Sequence, residues 1–216
     1  MKKIVIDACV AIDLNIPKVN FLEDSLKHLS DDCVLISMVN FDETDSKIRS
    51  LLKSYRNVQI KENDETKFST FSAELEALKI NLSWKDRHVL FLANESKADF
   101  VVSSDFNVYD KANRLRQKKN LTFMKPMTTV SLLEYMYNQN KIKYSIFFEK
   151  CLYLYKYKEI DNMLEHLSQN NLKVTREEQI EIINECKKSM RERFQFYKDP
   201  LIAEFRQLQS LGDMLL

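Results

Sequence analysis

Over residues 1–138, short apolar runs alternate with longer stretches of helical period. Residues 3–7 (KIVID), 33–37 (CVLIS), 57–60 (NVQI), 99–103 (DFVVS) and 121–124 (LTFM) are rich in β-branched and apolar side chains and read as strands. Between them lie amphipathic segments. In 64–79, for example, Phe68, Phe71, Leu75 and Leu78 share one helical face. Strands separated by helices require crossover connections, and therefore a mainly parallel sheet covered on both faces. The pattern predicts an α/β domain over residues 1–138, with three α/β/α layers and a central sheet of about five strands.

Beyond residue 139 the strand-like runs stop. "KYSIFFEKCLYLYKYKEID" crowds aromatics and lysines at helical spacing, which predicts core or subunit contact more than base stacking. Thr175 and Glu178 form a capping box ahead of a stripe of Ile180, Ile183, Cys186, Met190 and Phe194. Asp199 and Pro200 then read as the cap and first turn of a last helix. Residues 139–216 are expected to be a helical extension that packs on the core or on a second subunit, with a homodimer as the favoured assembly.

Composition narrows the chemistry by exclusion. The 216 residues contain one glycine, Gly212, so a dinucleotide fingerprint or phosphate loop is excluded. The formal charge is +1, so any polyanion site must be local. The four cysteines (Cys9, Cys33, Cys151, Cys186) are scattered and include no CxxC pair, which argues against a zinc ribbon and for reduced thiols in a cytoplasmic protein. No stretch has bilayer length, so no membrane partner is expected.

Four carboxylates sit where strands give way to helices. Asp7 ends the first strand run. Glu43 follows the second, in "LISMVNFDET", at what reads as the start of a helix. Asp86 lies three residues after a cap candidate, Ser83, and Asp105 follows the fourth strand in "DFVVSSDFNVYDKA". Taken singly, each has an ordinary reading: Asp7 and Asp105 as helix caps, Glu43 and Asp86 as first-turn acids. In a parallel sheet, however, all four would converge on one rim, where their mutual repulsion calls for protons or a cation. Oxygen-only ligation suits Mg2+ or Mn2+ rather than zinc, and such sites commonly serve phosphoryl chemistry.

These phrases resemble the PIN-domain ribonucleases. "IVIDACVAI" matches that family's first strand and acid, "ISMVNFDET" the glutamate after its second strand, "DRHVLFLA" the third acid opening a helix, and "VVSSDFNVYDKA" the fourth. The resemblance extends over residues 3–138 and closes with "MTTVSLLEYM". It implies a metal-dependent endoribonuclease, cleaving RNA to leave a 5′-phosphate and a 3′-hydroxyl, with Asp7, Glu43, Asp86 and Asp105 holding Mg2+ or Mn2+. It also implies that Ser103, Ser104 and Asp110 support the site from behind. RNA is the implied substrate, and an inhibitor protein of the antitoxin kind a possible partner. The chain departs from the family after the first acid, where Ala8 and Cys9 replace the usual hydroxyl-bearing residues.

The basic run Arg114, Arg116, Lys118 and Lys119 either holds the RNA backbone or ends a solvated helix. His88, two residues after Asp86, is expected on the surface, and Asp42 as a solvated cap or first-turn acid. The alternative function is a catalytically weak PIN-like module that binds RNA or protein. An aspartyl-nucleophile phosphatase would need an acid at position 9, where Cys9 stands.

Overall fold

The computed structural model describes residues 1–17 and 19–155. The expected capping box at Thr175 and Glu178, the stripe ending at Phe194 and the helix start at Asp199 and Pro200 lie outside the described residues. Five parallel strands form one sheet: β1 (Lys3–Ile6), β2 (Cys33–Ser37), β3 (Val58–Lys61), β4 (Phe100–Val102) and β5 (Lys125–Met127), in the order β3-β2-β1-β4-β5. Register is continuous across the middle, with Val5 level with Leu35 on one side and Val101 on the other. Strand β1 is central, and Ile4, Val5 and Ile6 are all buried, as expected of a strand covered on both faces.

The crossovers are α1 (Ala8–Asn15) and α2 (Leu22–His28), then α3 (Met38–Asp42) and α4 (Ser46–Ser54), then α5 (Glu65–Ala77) and α6 (Trp84–Glu95), then α7 (Phe106–Lys118). Helices α8 (Thr129–Asn138) and α9 (Tyr144–Tyr155) follow. On one face α6 lies across β1, β2 and β4, and α5, α6 and α7 bury Phe68, Phe71, Leu90, Phe91 and Leu115 against Val5, Leu35 and Val101. On the other, α1 packs against α2, α4 and α8, and Tyr135 of α8 meets the ring of Phe100 at 5.3 Å. The result is the three-layer α/β/α arrangement that the strand and helix pattern predicts.

Residues Met1–Leu154 form one compact unit. It includes α9 as far as Leu154, with Phe147 stacked on Tyr137 at 5.5 Å and Lys150 over the ring of Phe21. Phe147 therefore belongs to the core, as its helical spacing predicts.

Two expectations need correction. The fifth strand is not 121–124 but Lys125–Met127. Leu121 and Phe123 pack instead on the α5–α7 core, and Met124 turns the chain at φ 59 before pairing begins. Pro126 lies within this strand, which is tolerable because β5 is at the sheet edge and needs no second row of hydrogen bonds. His88 is not on the surface but 1% exposed, with its ring stacked on Phe68 at 3.8 Å. Asn63 bonds its Nδ1, and burial lowers its pKa below the ordinary value.

With one glycine in the chain, other residues must supply left-handed turns. Helices α5 to α8 each end in a residue of positive φ: Lys79, Lys97, Asn120 and Asn140. The following N–H then reaches back five residues in every case, as in Ile80 to Leu75 (2.8 Å) and Ala98 to Ala93 (2.9 Å). This is the Schellman termination, made here without glycine.

Candidate active site

Sheet order reverses at β1. The chain runs outward through β2 and β3, then returns to the other side of β1 as β4 and β5. The carboxyl ends of β1 and β4 therefore border the crevice in which open α/β sheets bind their ligands. The Asp7 N–H donates to the Val102 carbonyl at 2.9 Å, joining the two strand exits.

Asp7 occupies the N-cap position of α1, yet its side chain makes no capping bond. Asp45, Asp64 and Asp105 at the same position of α4, α5 and α7 all accept a backbone N–H. The Asp7 carboxylate, 6% exposed, is turned to other donors. Ser103 Oγ donates to Oδ2 at 2.7 Å and Cys9 Sγ to the same oxygen at 3.1 Å. Asn40 Nδ2 approaches Oδ1 at 3.5 Å. Thus the hydroxyl absent after Asp7 is replaced by a thiol that donates to that carboxylate.

Glu43 is at the end of a helix, not the start of one. Ser37, the last residue of β2, caps α3 by accepting the Asn40 N–H at 3.1 Å, so the helix begins at Met38 and Glu43 closes it. That places Asn40 and Glu43 three residues apart on one helical face. Asn40 Nδ2 donates to Glu43 Oε2 at 3.2 Å, so one buried amide faces both Glu43 and Asp7. Lys85 Nζ pairs with Glu43 Oε1 at 2.6 Å. Asp42, exposed at the last position of α3, pairs with Arg49 at 3.8 Å.

Asp86 lies in the first turn of α6, as its spacing from Ser83 predicts. The two residues cap reciprocally: Ser83 Oγ accepts the Asp86 N–H at 3.2 Å and donates to Oδ2 at 2.7 Å. Asp105 caps α7 through the Asn107 N–H at 2.7 Å, and its own N–H donates to Ser103 Oγ at 3.0 Å. The Ser103 hydroxyl thereby fixes Asp7 with its proton and Asp105 with its lone pair.

The electrostatics join the four acids. Burial pushes the Asp7 carboxyl above its ordinary value, and the charge of Asp86 adds to this against the bonds from Ser103 and Cys9. Burial also raises Asp86, with the charges of Asp105 and Glu43 adding to it. Among the described residues neither Asp7 nor Asp86 has an ion-pair partner. Two carboxylates raised by burial, Asp7 with Asp86 beside it and Asp86 with Asp105 and Glu43 beside it, suit a hard divalent cation in donor type and in charge. Among the described residues no three His, Cys, Asp or Glu side chains are disposed to hold a metal ion as they stand.

The remaining expected residues are distributed differently. The Ser104 hydroxyl turns to Asp13 and to Thr129 Oγ1 (2.6 Å), while its N–H donates to Cys9 Sγ at 3.2 Å. Asp110 is held in ion pairs, with Arg114 at 2.9 Å and Lys111 at 3.5 Å. Lys118 donates to the Leu78 carbonyl at 2.6 Å, and Lys119 pairs with Glu74 at 2.7 Å. Arg116 buries its Nε in the same last turns of α7. Thirteen residues of helix put that end about 20 Å from Asp105. The geometry thus favours the helix-end reading of the basic run, whose lysines tie α7 to the α5 terminus.

Sequence reasoning passed over Asn40, Lys85 and Asp13. Asn40 had a local signal, an amide three residues before Glu43 and three after the strand-end Ser37. Asp13, 5% exposed, accepts from Ser104 and Thr129 across three elements, and no local pattern encodes that.

No family model matches this sequence, and no curated protein matches it. Among solved structures the chain is similar to VapBC2 from Rickettsia felis, determined bound to a DNA fragment from its promoter. The TM-score is 0.40 at 11% identity, covering 58% of this chain and 98% of that one. No helix among the described residues is long and apolar enough to cross a membrane.

Proposed function

We propose that this chain is a PIN-like, Mg2+- or Mn2+-dependent endoribonuclease acting through Asp7, Glu43, Asp86 and Asp105. The observation that carries the proposal is Asp7 itself. A buried carboxylate stands at a helix N-cap, is withheld from capping, and is held by Ser103 and Cys9 at the sheet's switch point with its pKa raised. Carboxylates raised by burial and by one another's charge mark functional sites more often than structural ones.

Asp7, Glu43, Asp86 and Asp105 would be the metal's oxygen donors. When bound, the ion would supply a water of lowered pKa and offset the charge of the phosphodiester. Ser103 holds Asp7 and the β4 exit in register, and Asn40 sets Asp7 relative to Glu43. Lys85, 55% exposed and paired with Glu43 at 2.6 Å, would be released toward a phosphate once Glu43 turned to the metal.

The test is cleavage of an unstructured RNA with and without divalent ions. Mg2+ or Mn2+ should be required. Asp7→Asn should lower the rate more than about 100-fold, beyond the range for residues that merely orient a ligand. Metal-dependent cleavage that survives Asp7→Asn unchanged would sink the proposal.

One pair of observations favours the second reading, a binding module with little turnover. Lys85 already neutralises one oxygen of Glu43, and no closed metal cage exists among the described residues. Under that reading RNA binds in EDTA, and no Mg2+ or Mn2+ concentration yields product.

A further inference from the structure

Among the described residues four large apolar side chains are exposed: Met1, Ile12 (43%), Trp84 (57%) and Phe106 (75%). Scattered exposed apolar groups ordinarily need no explanation. Here two of the three inside the chain stand beside candidate site acids in sequence. Trp84 opens α6 two residues before Asp86, and Phe106 opens α7 directly after Asp105.

Both rings are supported rather than loose. Trp84 meets the His88 ring edge-on at 4.5 Å. His88 is stacked on Phe68, and Phe68 meets Phe91 at 5.5 Å, so this aromatic series is rooted in the core. Phe106 lies nearly parallel to Tyr109, at 5.9 Å and 19°. A ring that rests beside another and remains in water offers a stacking face.

From this we infer that Trp84 and Phe106 are base-stacking positions of the site, holding nucleobases beside a phosphate at the carboxylate cluster. The inference rests on the proposed nuclease reading and goes beyond it by assigning the residues that grip the bases. The occupant must present flat apolar faces and anionic groups together. Lys85, adjacent to Trp84 and 55% exposed, is a cation that can exchange its Glu43 partner for such a backbone, and each exposed ring has a charged neighbour in sequence, Lys85 beside Trp84 and Asp105 beside Phe106. In a duplex the base faces are covered by their neighbours, so the ligand must be a strand with unpaired bases.

Trp84 is the chain's single tryptophan, so intrinsic fluorescence reports on this position alone. The full chain is titrated in EDTA, which suppresses cleavage, with a short unstructured RNA and with the same RNA annealed to its complement. The single strand should quench Trp84 saturably, and the duplex should need at least about tenfold higher concentration. Phe106→Ala should weaken the single-strand titration by roughly 5- to 50-fold, and Phe106→Tyr, which keeps a ring, should restore it. Unchanged far-UV circular dichroism confirms that the exposed substitution leaves the fold intact. Equal quenching by both forms, or undiminished binding by Phe106→Ala, would overturn the inference. Quenching without metal-dependent cleavage supports the stacking positions while removing the nuclease reading. Cleavage without quenching does the reverse.

Discussion

At the scale of single residues, Cys9 shows how the site tolerates an unusual side chain. Burial and the charge of Asp7 push the thiol up to about 11, so near neutral pH it keeps its proton and donates to Asp7. The same shift makes it a poor nucleophile, which fits a positioning role. Cys9→Ser retains a donor at the same place and should hold cleavage within about threefold, whereas Cys9→Ala leaves Asp7 with one donor fewer and should cut the rate roughly 10- to 100-fold. Single-turnover rates at saturating metal check this. Equal rates for the alanine and serine variants would show that Ser103 alone positions Asp7.

At the scale of elements, the helix terminations carry a cost that sequence composition exposes. Lys79 and Lys97 hold φ 55 and φ 49, where a Cβ is disfavoured, and both conclude Schellman turns at buried Ile80 and Ala98. Lys79→Gly and Lys97→Gly should each raise stability by about 0.5–1 kcal/mol, since the relieved strain exceeds the added freedom of the unfolded chain. Asn120→Gly should gain less, because asparagine tolerates this region. Urea unfolding midpoints measure all three, and a loss in both lysine variants would refute the strain argument. The same scale explains what could be read from the sequence. Strands β1, β2 and β4 were legible because continuous burial demands unbroken β-branched runs. Strand β5 was not, because its proline is admissible only at an edge, and edge position is a property of the assembled sheet. Asp7 and Asp105 were legible as strand exits, whereas Asp86 opens the second helix of its crossover and Glu43 closes α3 behind the Ser37 cap. His88 was misplaced because its partner, Phe68, lies on another helix.

At the scale of the whole molecule, the two edges of the sheet have opposite electrostatics that a net charge of +1 conceals. At the amino edge the acids are matched. Asp32 takes Lys141 at 3.0 Å and the Lys2 N–H at 2.9 Å. Asp99 is lowered despite burial by the hydrogen bond and charge of Lys2 and the N–H of Lys3. At the carboxyl edge Asp7 and Asp86 are raised. A carboxyl raised in the native state stabilises the fold fully below its unfolded value, near 3.8, and that contribution is lost as pH rises through the native value. Without metal, the site is therefore a source of instability near neutral pH, consistent with a stability–function trade-off. Asp7→Asn should be more stable than the parent at about pH 7 in EDTA, by the roughly 0.5–2 kcal/mol of a stabilising substitution, or ~3 °C in Tm. The advantage should shrink as pH falls towards 4, where Asp7 gains its own proton. His88, lowered by burial, destabilises both proteins below its ordinary 6.5 and cancels in the comparison. If the proposed site holds the ion, millimolar Mg2+ or Mn2+ should raise the Tm of the parent and not of Asp7→Asn, because only the charged site would bind it in preference to the unfolded chain. Thermal melts across pH, with and without metal, decide it. An Asp7→Asn protein less stable than its parent near pH 7, or metal stabilising both alike, would mean that Asp7 is a structural acid satisfied by Ser103 and Cys9.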